Sequence, residues 1–441
     1  MQSANTMKIL KIKFTCFILA ALPLFCFAQL NSPYSRYGVG NLVSQASIGN
    51  RGMGGISAAY TDPTSINTIN PASYSDLIYS TLDIGLEYDG LNLKSKTPQG
   101  FFKSNDGIIP YLEFGFPLLR GNKKAENHKI SLGMAFGLKP ITRINYKIGS
   151  STFSTDSSLT SYEGSGGVNE AFVGTGIRIK NFSIGFNTGY LFGEKSYNTR
   201  LLFNNDSLNY YKTHYGSRTR FGGMFLDAGM QYLVKINKSA LIFGAYGTLQ
   251  RKYGGSKDNL VETFNYNVQT LAPQPIDTVS YISGQKGKVQ MPATFGGGIA
   301  YSNEHLLVGA DYETTKWSNY SFFGQKDFVK NSWNAKIGIQ YLPASSGNSG
   351  YFNFVKYRAG FNFGQDYIDV ENSLPFYTVS VGGSFPLKLK RSFYDNQYSV
   401  MNFTFEYGNR GNNNNNITEN IYKVSLGFSL SDIWFLRQKY R

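Results

Sequence analysis

The sequence predicts an all-β protein, a transmembrane antiparallel up-and-down β-barrel of about 14 strands with an N-terminal plug inside the lumen. Three observations predict this fold: an N-terminus of export-signal type, a long series of alternating apolar and small residues, and connections of alternating length. The chain then divides into a signal peptide over 1–28, a plug over 29–77, a barrel over 78–430 and a basic periplasmic tail over 431–441.

The N-terminus has the pattern of a secretory signal peptide. Three lysines precede the apolar run FTCFILAALPLFCFA, which ends in the small residue Ala28. This run is shorter than the ~20 residues that a membrane-spanning helix needs. A lipoprotein signal modified at Cys26 is the alternative, and the bulky Phe25 before that cysteine argues against it.

Composition excludes several other classes of protein. The only cysteines, Cys16 and Cys26, fall within the predicted signal, so the mature chain has neither a disulfide nor a cysteine-based metal site. Aromatic residues make up 16% of the chain, which is typical of strands and not of disorder. The net charge of +15 is spread along the chain without a basic helix, so no nucleic-acid partner is predicted.

Alternation is clearest in KISLGMAFGLK, residues 129–139. Ile130, Leu132 and Met134 fall on one face, and Ser131 and Gly133 fall on the other. Such a period of two predicts a strand with one apolar face. A soluble all-β protein is the alternative, because sandwich strands also alternate. The small residues on the second face favour a crowded barrel lumen.

The same pattern predicts fourteen strands, each long enough to cross a bilayer obliquely, which takes ~9–11 residues. They span roughly 78–90, 107–119, 129–146, 168–180, 182–198, 218–235, 239–252, 290–301, 306–320, 331–342, 353–364, 375–387, 398–408 and 420–430. Connections at one rim are short, as at 180–181, and the longest at the other rim runs over roughly 251–289. This layout is typical of outer-membrane barrels and predicts both termini at the periplasmic rim.

The residues before the first strand lack alternation and are rich in small side chains. A barrel of fourteen strands is wider than the eight-stranded barrels that fill their own lumen, so a plug is expected. Gly54 and Gly55 permit tight turns close to a wall. Asp62 and Asn70 each precede a proline, and each is expected to cap a short helical turn.

The stretch GMGGISAAYTDPTSINTINPASYSD resembles the N-terminal segment of the FadL/OmpP1 outer-membrane transport family. The shared pattern is Gly-rich, then Ala-rich, then Asp-x-x-Ser, then Asn-Pro-Ala before the first strand. The matching positions are Gly54, Gly55, Ala58, Ala59, Asp62, Ser65, Asn70, Pro71 and Ala72. The resemblance implies fourteen strands around an N-terminal hatch. It extends to the FadL-like barrels of the Bacteroidetes type IX secretion system.

Charged side chains on the small-residue face of the predicted strands are expected to line the lumen. They are Asp83, Glu87, Glu113, Arg178, Asp227, Asp311, Glu313, Lys336, Arg358 and Glu406. Their mixed signs predict ion pairs that hold the plug to the wall, and not an ion filter of a single sign.

No catalytic or metal site is predicted, and no cofactor. The mature chain has three histidines, His128, His214 and His305, which are predicted in turns or loops and have no metal-ligand spacing. A hydrolase would need a nucleophile and a base facing each other across a surface, and no histidine is expected in mid-strand.

Two functions remain as hypotheses. The resemblance implies a plugged conduit for hydrophobic small molecules in the outer membrane, in contact with its lipid, with ligand-binding residues that the sequence does not identify. The alternative is a non-transporting accessory barrel of a type IX-like secretion system. Such a barrel would bind outer-membrane or periplasmic proteins at its rim or periplasmic face, where the turns are basic.

Overall fold

The protein is a closed barrel of fourteen antiparallel strands, so the predicted fold class is confirmed. The predicted signal peptide, the turns at 120–128 and 388–396, and the tail beyond Asp432 lie outside the described residues. The computed structural model describes residues 31–119, 130–152, 157–203, 211–267, 269–270, 272–344, 350–370, 372–387 and 398–432.

We number the wall strands in chain order, and β2, β7 and β8 each consist of two segments. Their bounds are β1 Ser80–Ser95, β2 Gly100–Ile108 and Leu112–Leu119, β3 Ile130–Thr152, β4 Ser158–Ile179, β5 Phe182–Phe203, β6 Lys212–Ile236, β7 Ser239–Thr248 and Arg251–Tyr266, β8 Pro273–Met291 and Thr294–Ser302, β9 Leu306–Thr315, β10 Ser332–Tyr341, β11 Lys356–Val370, β12 Asn372–Pro386, β13 Tyr398–Arg410 and β14 Ile417–Asp432.

Barrel closure is made by the first and last strands. β1 and β14 pair along their whole length, from Ser80 opposite Asp432 to Ser95 opposite Ile417. We call this pairing the seam. β14 ends at Asp432, so the first two residues of the predicted tail are strand.

The far end of the barrel differs from the prediction of a long loop over 251–289. These residues continue β7 and β8, which stay paired from Arg251 opposite Met291 to Tyr266 opposite Pro273. The second edge of β7 pairs with β6, whose first residues include His214. His214 therefore lies in a strand and not in a loop. Alternation is weak here because residues 273–286 are exposed on both faces, so neither face requires apolar residues over that part.

The outer face of the wall is apolar along the central part of the strands. On β3, the side chains of Phe136 and Leu138 are 48% and 49% exposed, whereas the intervening positions point inward. On β5, Phe182, Ile184 and Phe186 are likewise exposed. Such alternation suits a wall with lipid on one side and a packed lumen on the other.

No helix in the described part of the chain has the length and apolar character needed to cross a membrane.

Leu132→Arg is expected to impair insertion, whereas the neighbouring Gly133→Arg is expected to act on the barrel interior. Leu132 faces lipid, where an arginine costs ~2–4 kcal/mol near the bilayer midplane. A Cβ at Gly133 would meet the carbonyl oxygen of Tyr74 at 1.9 Å, so this position faces inward. Arginine scanning along 130–138, read as the amount of heat-modifiable protein, is expected to alternate with a period of two. A uniform loss would contradict the assigned facing.

The N-terminal segment, residues 31–79, lies inside the barrel. It contacts the wall on widely separated strands. The Tyr74 hydroxyl donates to Asn187 Oδ1 of β5 at 2.9 Å, Ser57 N–H donates to Asp311 of β9, and the Thr404 hydroxyl of β13 donates to the Ile48 carbonyl at 2.7 Å. Because these strands lie around the whole barrel, the segment is enclosed by the wall.

The segment has little regular structure. It contains the 3-10 helices Pro33–Arg36 and Pro71–Asp76, the two-residue strand Asn41–Leu42 and the α-helix Ile48–Arg51. The remaining short elements, the 3-10 helices Trp317–Asn319 and Tyr351–Phe354 and the strand Ser321–Phe322, lie in connections between wall strands.

Candidate functional site

The glycines of the predicted plug motif allow close approach to the wall. Gly54 and Gly55 have φ values of +68° and +81°, in the left-handed region that favours glycine. A Cβ at Gly54 would lie 2.9 Å from the carbonyl oxygen of Phe361, and its N–H donates to Ser380 Oγ at 3.0 Å. Gly54 is therefore in direct contact with β11 and β12.

Asp62 connects the segment to the wall by charge. Its carboxylate accepts from Lys356 Nζ of β11 at 2.6 Å and from Thr64 N–H at 2.9 Å. Burial acts to raise the pKa of Asp62, but the Lys356 ammonium and the Thr64 hydrogen bonds outweigh it and hold the pKa well below its usual range. Asp62 caps a turn at Pro63, and no helix follows it.

Asn70, Pro71 and Ala72 form the most deeply packed part of the motif. The Asn70 carboxamide is fully buried and donates to the carbonyls of Ala58 at 2.6 Å and of Met230 in β6 at 3.2 Å. Its oxygen accepts from Ala72 N–H at 3.2 Å and caps the helix that begins at Pro71, as the sequence predicted. Ala72 is fully buried, and a Cβ at Gly185 of β5 would lie 2.4 Å from the Pro71 carbonyl carbon.

Five of the ten predicted lumen charges contact the segment directly. Asp311 Oδ2 accepts from the N–H groups of Ser57 and Ala58 at 2.6 and 2.8 Å. Arg358 Nη2 donates to the Tyr60 hydroxyl at 3.3 Å, and Arg178 pairs with Asp76. Burial raises the pKa of Asp76, and the Arg178 guanidinium opposes this rise. The remaining two, Glu87 and Glu406, belong to the network around Arg51.

Arg51 is the centre of that network, and it was missed in the sequence. Its side chain is 1% exposed and pairs with Glu87 of β1 and Glu406 of β13, with Nε 2.8 Å from Glu406 Oε2. Lys423 Nζ of β14 lies 3.1 Å from Glu87 Oε1. Burial acts to lower the pKa of Arg51, but the two carboxylates keep it above its ordinary value. The one signal for Arg51 in the sequence is its position as a lone arginine beside a run of glycines.

The other five predicted charges lie on wall strands. Asp83 and Glu113 are buried on neighbouring strands and lie opposite each other in register. Asp227 accepts from the Thr248 hydroxyl at 2.6 Å, and Lys336 Nζ lies 3.7 Å from Glu313 of the wall. Of these five, Asp227, Glu313 and Lys336 line the cavity next to the segment.

A cavity of about 520 Å³ lies in the lumen against the segment. One part of its lining is apolar and aromatic, with Phe225, Tyr253, Met291 and Trp317. Another part is charged and includes Arg51 with its carboxylate partners. The cavity thus offers an apolar surface beside a polar one, a combination typical of small-molecule sites.

The β9–β10 connection, residues 316–331, covers the lumen at the far rim. Trp317 and Tyr320 are buried, and the Tyr320 hydroxyl donates to the Gly38 carbonyl at 3.1 Å. Gly38 N–H donates in turn to Asp327 at 2.8 Å. The N-terminal segment and this loop therefore meet above the cavity.

The wall has a gap between β2 and β3. The first part of β2, Gly100–Ile108, pairs with β1 from Glu87 to Ser95. Residues 139–152 of β3 pair with β4 on one edge, and the β2–β3 pairing ends at Leu112 opposite Leu138. The break in β2 at 109–111 contains Pro110, which has no N–H to donate.

The N-terminal segment closes this gap from inside. Asn41 and Leu42 pair with Arg143 and Thr142 of β3, and Val43 N–H donates to the Ile141 carbonyl at 2.9 Å. We call Asn41, Leu42 and Val43 the seal.

Further contacts bridge the two edges of the gap. The Asn31 carboxamide donates to the Lys147 carbonyl at 3.1 Å, while Asn31 N–H donates to Ser104 Oγ of β2 at 3.1 Å. Asp106 of β2 pairs with Arg143 of β3 across the gap.

An outer groove of about 1280 Å³ begins at the same gap and runs along the wall to β8. Ile108, Thr142 and Arg143 line both this groove and the lumen cavity. Leu42 of the seal lines the cavity and is 49% exposed. Among the described residues, the seal, the Asn31 contacts and the Asp106–Arg143 pair lie between the two spaces.

The two histidines that the structure describes, His214 and His305, make hydrogen bonds within the barrel. His214 Nδ1 lies 2.7 Å from Glu262 and Nε2 lies 3.1 Å from Asn198, both on strands next to β6. His305 lies in the turn after β8, and His128 is outside the described residues. Among the described residues, no group of three or more His, Cys, Asp or Glu side chains is placed to hold a metal ion.

Comparison with known proteins identifies the family of the chain. The family model BamG matches residues 8–441. The chain belongs to the BamG family. No curated protein matches this BamG-family sequence.

Solved structures with the same fold include two toluene transporters and a FadL homologue. The toluene transporter TodX from P. putida is 14% identical, with 90% of this chain and 100% of that chain covered at a TM-score of 0.56. The Ralstonia pickettii toluene transporter TbuX is 15% identical (88% and 99% covered, TM-score 0.52), and a Pseudomonas aeruginosa FadL homologue is 13% identical (90% and 100%, TM-score 0.51). At these identities the likeness establishes a FadL-type fold for the BamG-family chain. TodX and TbuX are described as transporters, and none of these three structures is described as an enzyme.

Proposed function

We propose that the chain is a plugged conduit for hydrophobic small molecules in the bacterial outer membrane. Residues 1–28 act as its export signal, 29–77 act as the plug, and the basic tail over 431–441 faces the periplasm. The observation that carries the proposal is the gap between β2 and β3, where the lumen cavity and the outer groove share Ile108, Thr142 and Arg143. A molecule held in the cavity would leave sideways into the bilayer at this point.

The ligand class follows from the lining of that route. Phe225, Tyr253 and Trp317 offer aromatic surface in the cavity, and Ile109 and Leu138 continue it outside the gap. An apolar compound keeps favourable contacts along the whole route, whereas an ion would lose its hydration at the lipid side. Two relatives of this fold are described as toluene transporters, which makes toluene a suitable probe.

The route requires movement of the seal and of the contacts that Asn31 and the Asp106–Arg143 pair make across the gap. Backbone hydrogen bonds such as those of the seal contribute a net ~0.5–1.5 kcal/mol each. Separating Arg51 from its buried carboxylates would be far more costly, ~3–5 kcal/mol. We therefore expect the body of the plug to stay in place during transport, while Asn41, Leu42 and Val43 swing away from β3.

Locking the seal tests the proposal. Leu42→Cys with Thr142→Cys places two thiols on registered partners, whose Cα separation of ~4.5–5.5 Å suits a disulfide. The mature chain has no other cysteine. Uptake of radiolabelled toluene by cells producing the pair is expected to fall to the level of cells without the protein when oxidised, and to recover on reduction. Val379→Cys with Tyr407→Cys joins β12 and β13 and serves as the matched control.

The second candidate is the non-transporting accessory barrel that binds partner proteins. The observation in its favour is the number of buried ion pairs that fix the segment, since a permanent closure suits a scaffold. If the wild-type protein takes up no toluene and the disulfide changes nothing, the conduit is wrong and the accessory role is favoured. Co-purification of a stoichiometric outer-membrane or periplasmic protein in mild detergent would then be the decisive observation.

A further inference from the structure

The wall over β5 to β8 changes from apolar to cationic at the far rim. On the lipid-facing side of β6, Met224 is 61% exposed, and the next outward positions along the strand are Gly222, Arg220 and Arg218. On β5, Tyr190 and Phe192 are exposed and are followed outward by Glu194. This height corresponds to the end of the apolar belt, where lipid headgroups lie.

Strand register aligns these side chains into two rows. In the outer row, Glu194 lies opposite Arg220, Arg220 opposite Ser256, and Ser256 opposite Lys286. Strands lie ~4.8 Å apart, so the backbones of Arg220 and Lys286 are about 10 Å apart on either side of a small residue.

The second row lies one step closer to the membrane centre. Phe192, Gly222, Gly254 and Lys288 lie opposite one another in that order. The two glycines leave a hollow in the wall, which is the end of the outer groove away from the gap. A Cβ at Gly254 would meet no atom within 4 Å, so the hollow is open.

The charges around the hollow do not balance. The Glu194 carboxylate accepts from Arg218 Nε at 2.7 Å and from Arg218 Nη2 at 2.9 Å. It also accepts a longer hydrogen bond from Arg220 Nε at 3.3 Å. In the part of the chain that the structure describes, neither Lys286 nor Lys288 has a carboxylate partner. Asp258 of β7 lies opposite Arg218 and accepts from the Ser283 hydroxyl and from Gly284 N–H. Two carboxylates therefore face four cations, which leaves a net positive charge around the hollow.

We propose that this hollow binds the anionic phosphate headgroup of an outer-leaflet lipid. Arg220, Lys286 and Lys288 contact the phosphate oxygens over Gly254 and Ser256, and an acyl chain follows the apolar wall past Phe192. Two features favour a lipid over a free anion: the cations stand directly on the apolar belt, and the hollow continues into an apolar groove. This site lies on the outer surface and is independent of the lumen.

Native mass spectrometry of the full-length protein in mild detergent tests the site, with phosphatidylglycerol and phosphatidylcholine of identical acyl chains as probes. The wild type is expected to bind phosphatidylglycerol preferentially. Arg220→Gln with Lys286→Gln and Lys288→Gln is expected to weaken that binding on the order of 100-fold, from the usual effect of three cations at a membrane surface. Lys94→Gln with Lys96→Gln and Lys103→Gln removes three exposed cations from another part of the far rim and serves as the control.

Gly254→Trp provides a second, independent variant. The indole fills the hollow without removing a charge, and it is expected to reduce phosphatidylglycerol binding while the protein keeps its heat-modifiable mobility. Equal binding by both triple variants would overturn the proposal. So would binding of inorganic pyrophosphate as tight as that of the lipid, because the site would then be one for a free anion.

Discussion

Replacing Arg51 with methionine is expected to destabilise the barrel by ~3–5 kcal/mol, because Glu87 and Glu406 remain in the lumen without their cation. The N-terminal segment loses its strongest contact with β1 and β13. We expect a lower temperature for loss of the folded band on unboiled gels, and proteolysis of the segment in the folded barrel. Methionine keeps most of the arginine side-chain volume, so the loss of stability reflects the loss of the positive charge.

Two further variants separate the effect of the unpaired carboxylates from a general loss of packing. Arg51→Met with Glu87→Gln and Glu406→Gln removes the unpaired carboxylates and is expected to recover much of the loss, as apolar or neutral replacements of buried pairs often do. Arg218→Met breaks an exposed pair with Glu194, for which ~0.2–1 kcal/mol is typical. A loss for Arg51→Met no larger than that for Arg218→Met would mean that the network does not hold the segment.

Deleting residues 31–77 is expected to convert a nearly silent barrel into an ion-conducting one. The wall strands satisfy their own backbone hydrogen bonds, so the deleted form should still assemble. Without the segment, the gap between β2 and β3 loses its seal and the lumen loses most of its contents. Single-channel recordings in planar bilayers at equal protein are expected to show resolved steps for the deletion and near-zero conductance for the full-length chain.

A milder variant gives an intermediate point in the same conductance experiment. Gly54→Val with Gly55→Val is expected to conduct partially, because both positions have positive φ and Gly54 touches the wall. Near-zero conductance in all three forms would mean that the loop over 316–331, which already buries Trp317 and Tyr320, closes the lumen by itself.

The sequence predicted the parts of the molecule in which burial imposes a pattern. Alternation along 129–139 identified both faces of β3, because lipid and lumen select different side chains at successive positions. The Asn-Pro-Ala stretch likewise identified a capped turn. The ten lumen charges were predicted on the inner face because each occupies a small-residue position on an alternating strand.

Features that depend on distant residues could not be predicted. The gap between β2 and β3 arises where two paired strands part, and neither strand alone carries a signal for it beyond Pro110. Arg51 is recognisable as a structural residue only once Glu87 and Glu406 are seen beside it. The paired extension over 251–289 resembles a loop in sequence because much of it is exposed to solvent on both faces. Its apolar residues therefore follow no regular period.

The seam constrains the order in which the molecule is assembled. β1 pairs with β14, so the barrel closes only after the last strand has arrived, through contacts between opposite ends of the chain. The N-terminal segment is made before any wall strand, yet it ends up surrounded by all of them. A sheet that curls around this segment gains its contacts with β5, β9 and β13 one after another, whereas a closed empty barrel would have to admit the segment through a rim. We therefore expect the wall of the full-length chain to close around a segment that is already in place, and a chain truncated before β14 would retain an open edge on β1, which favours aggregation.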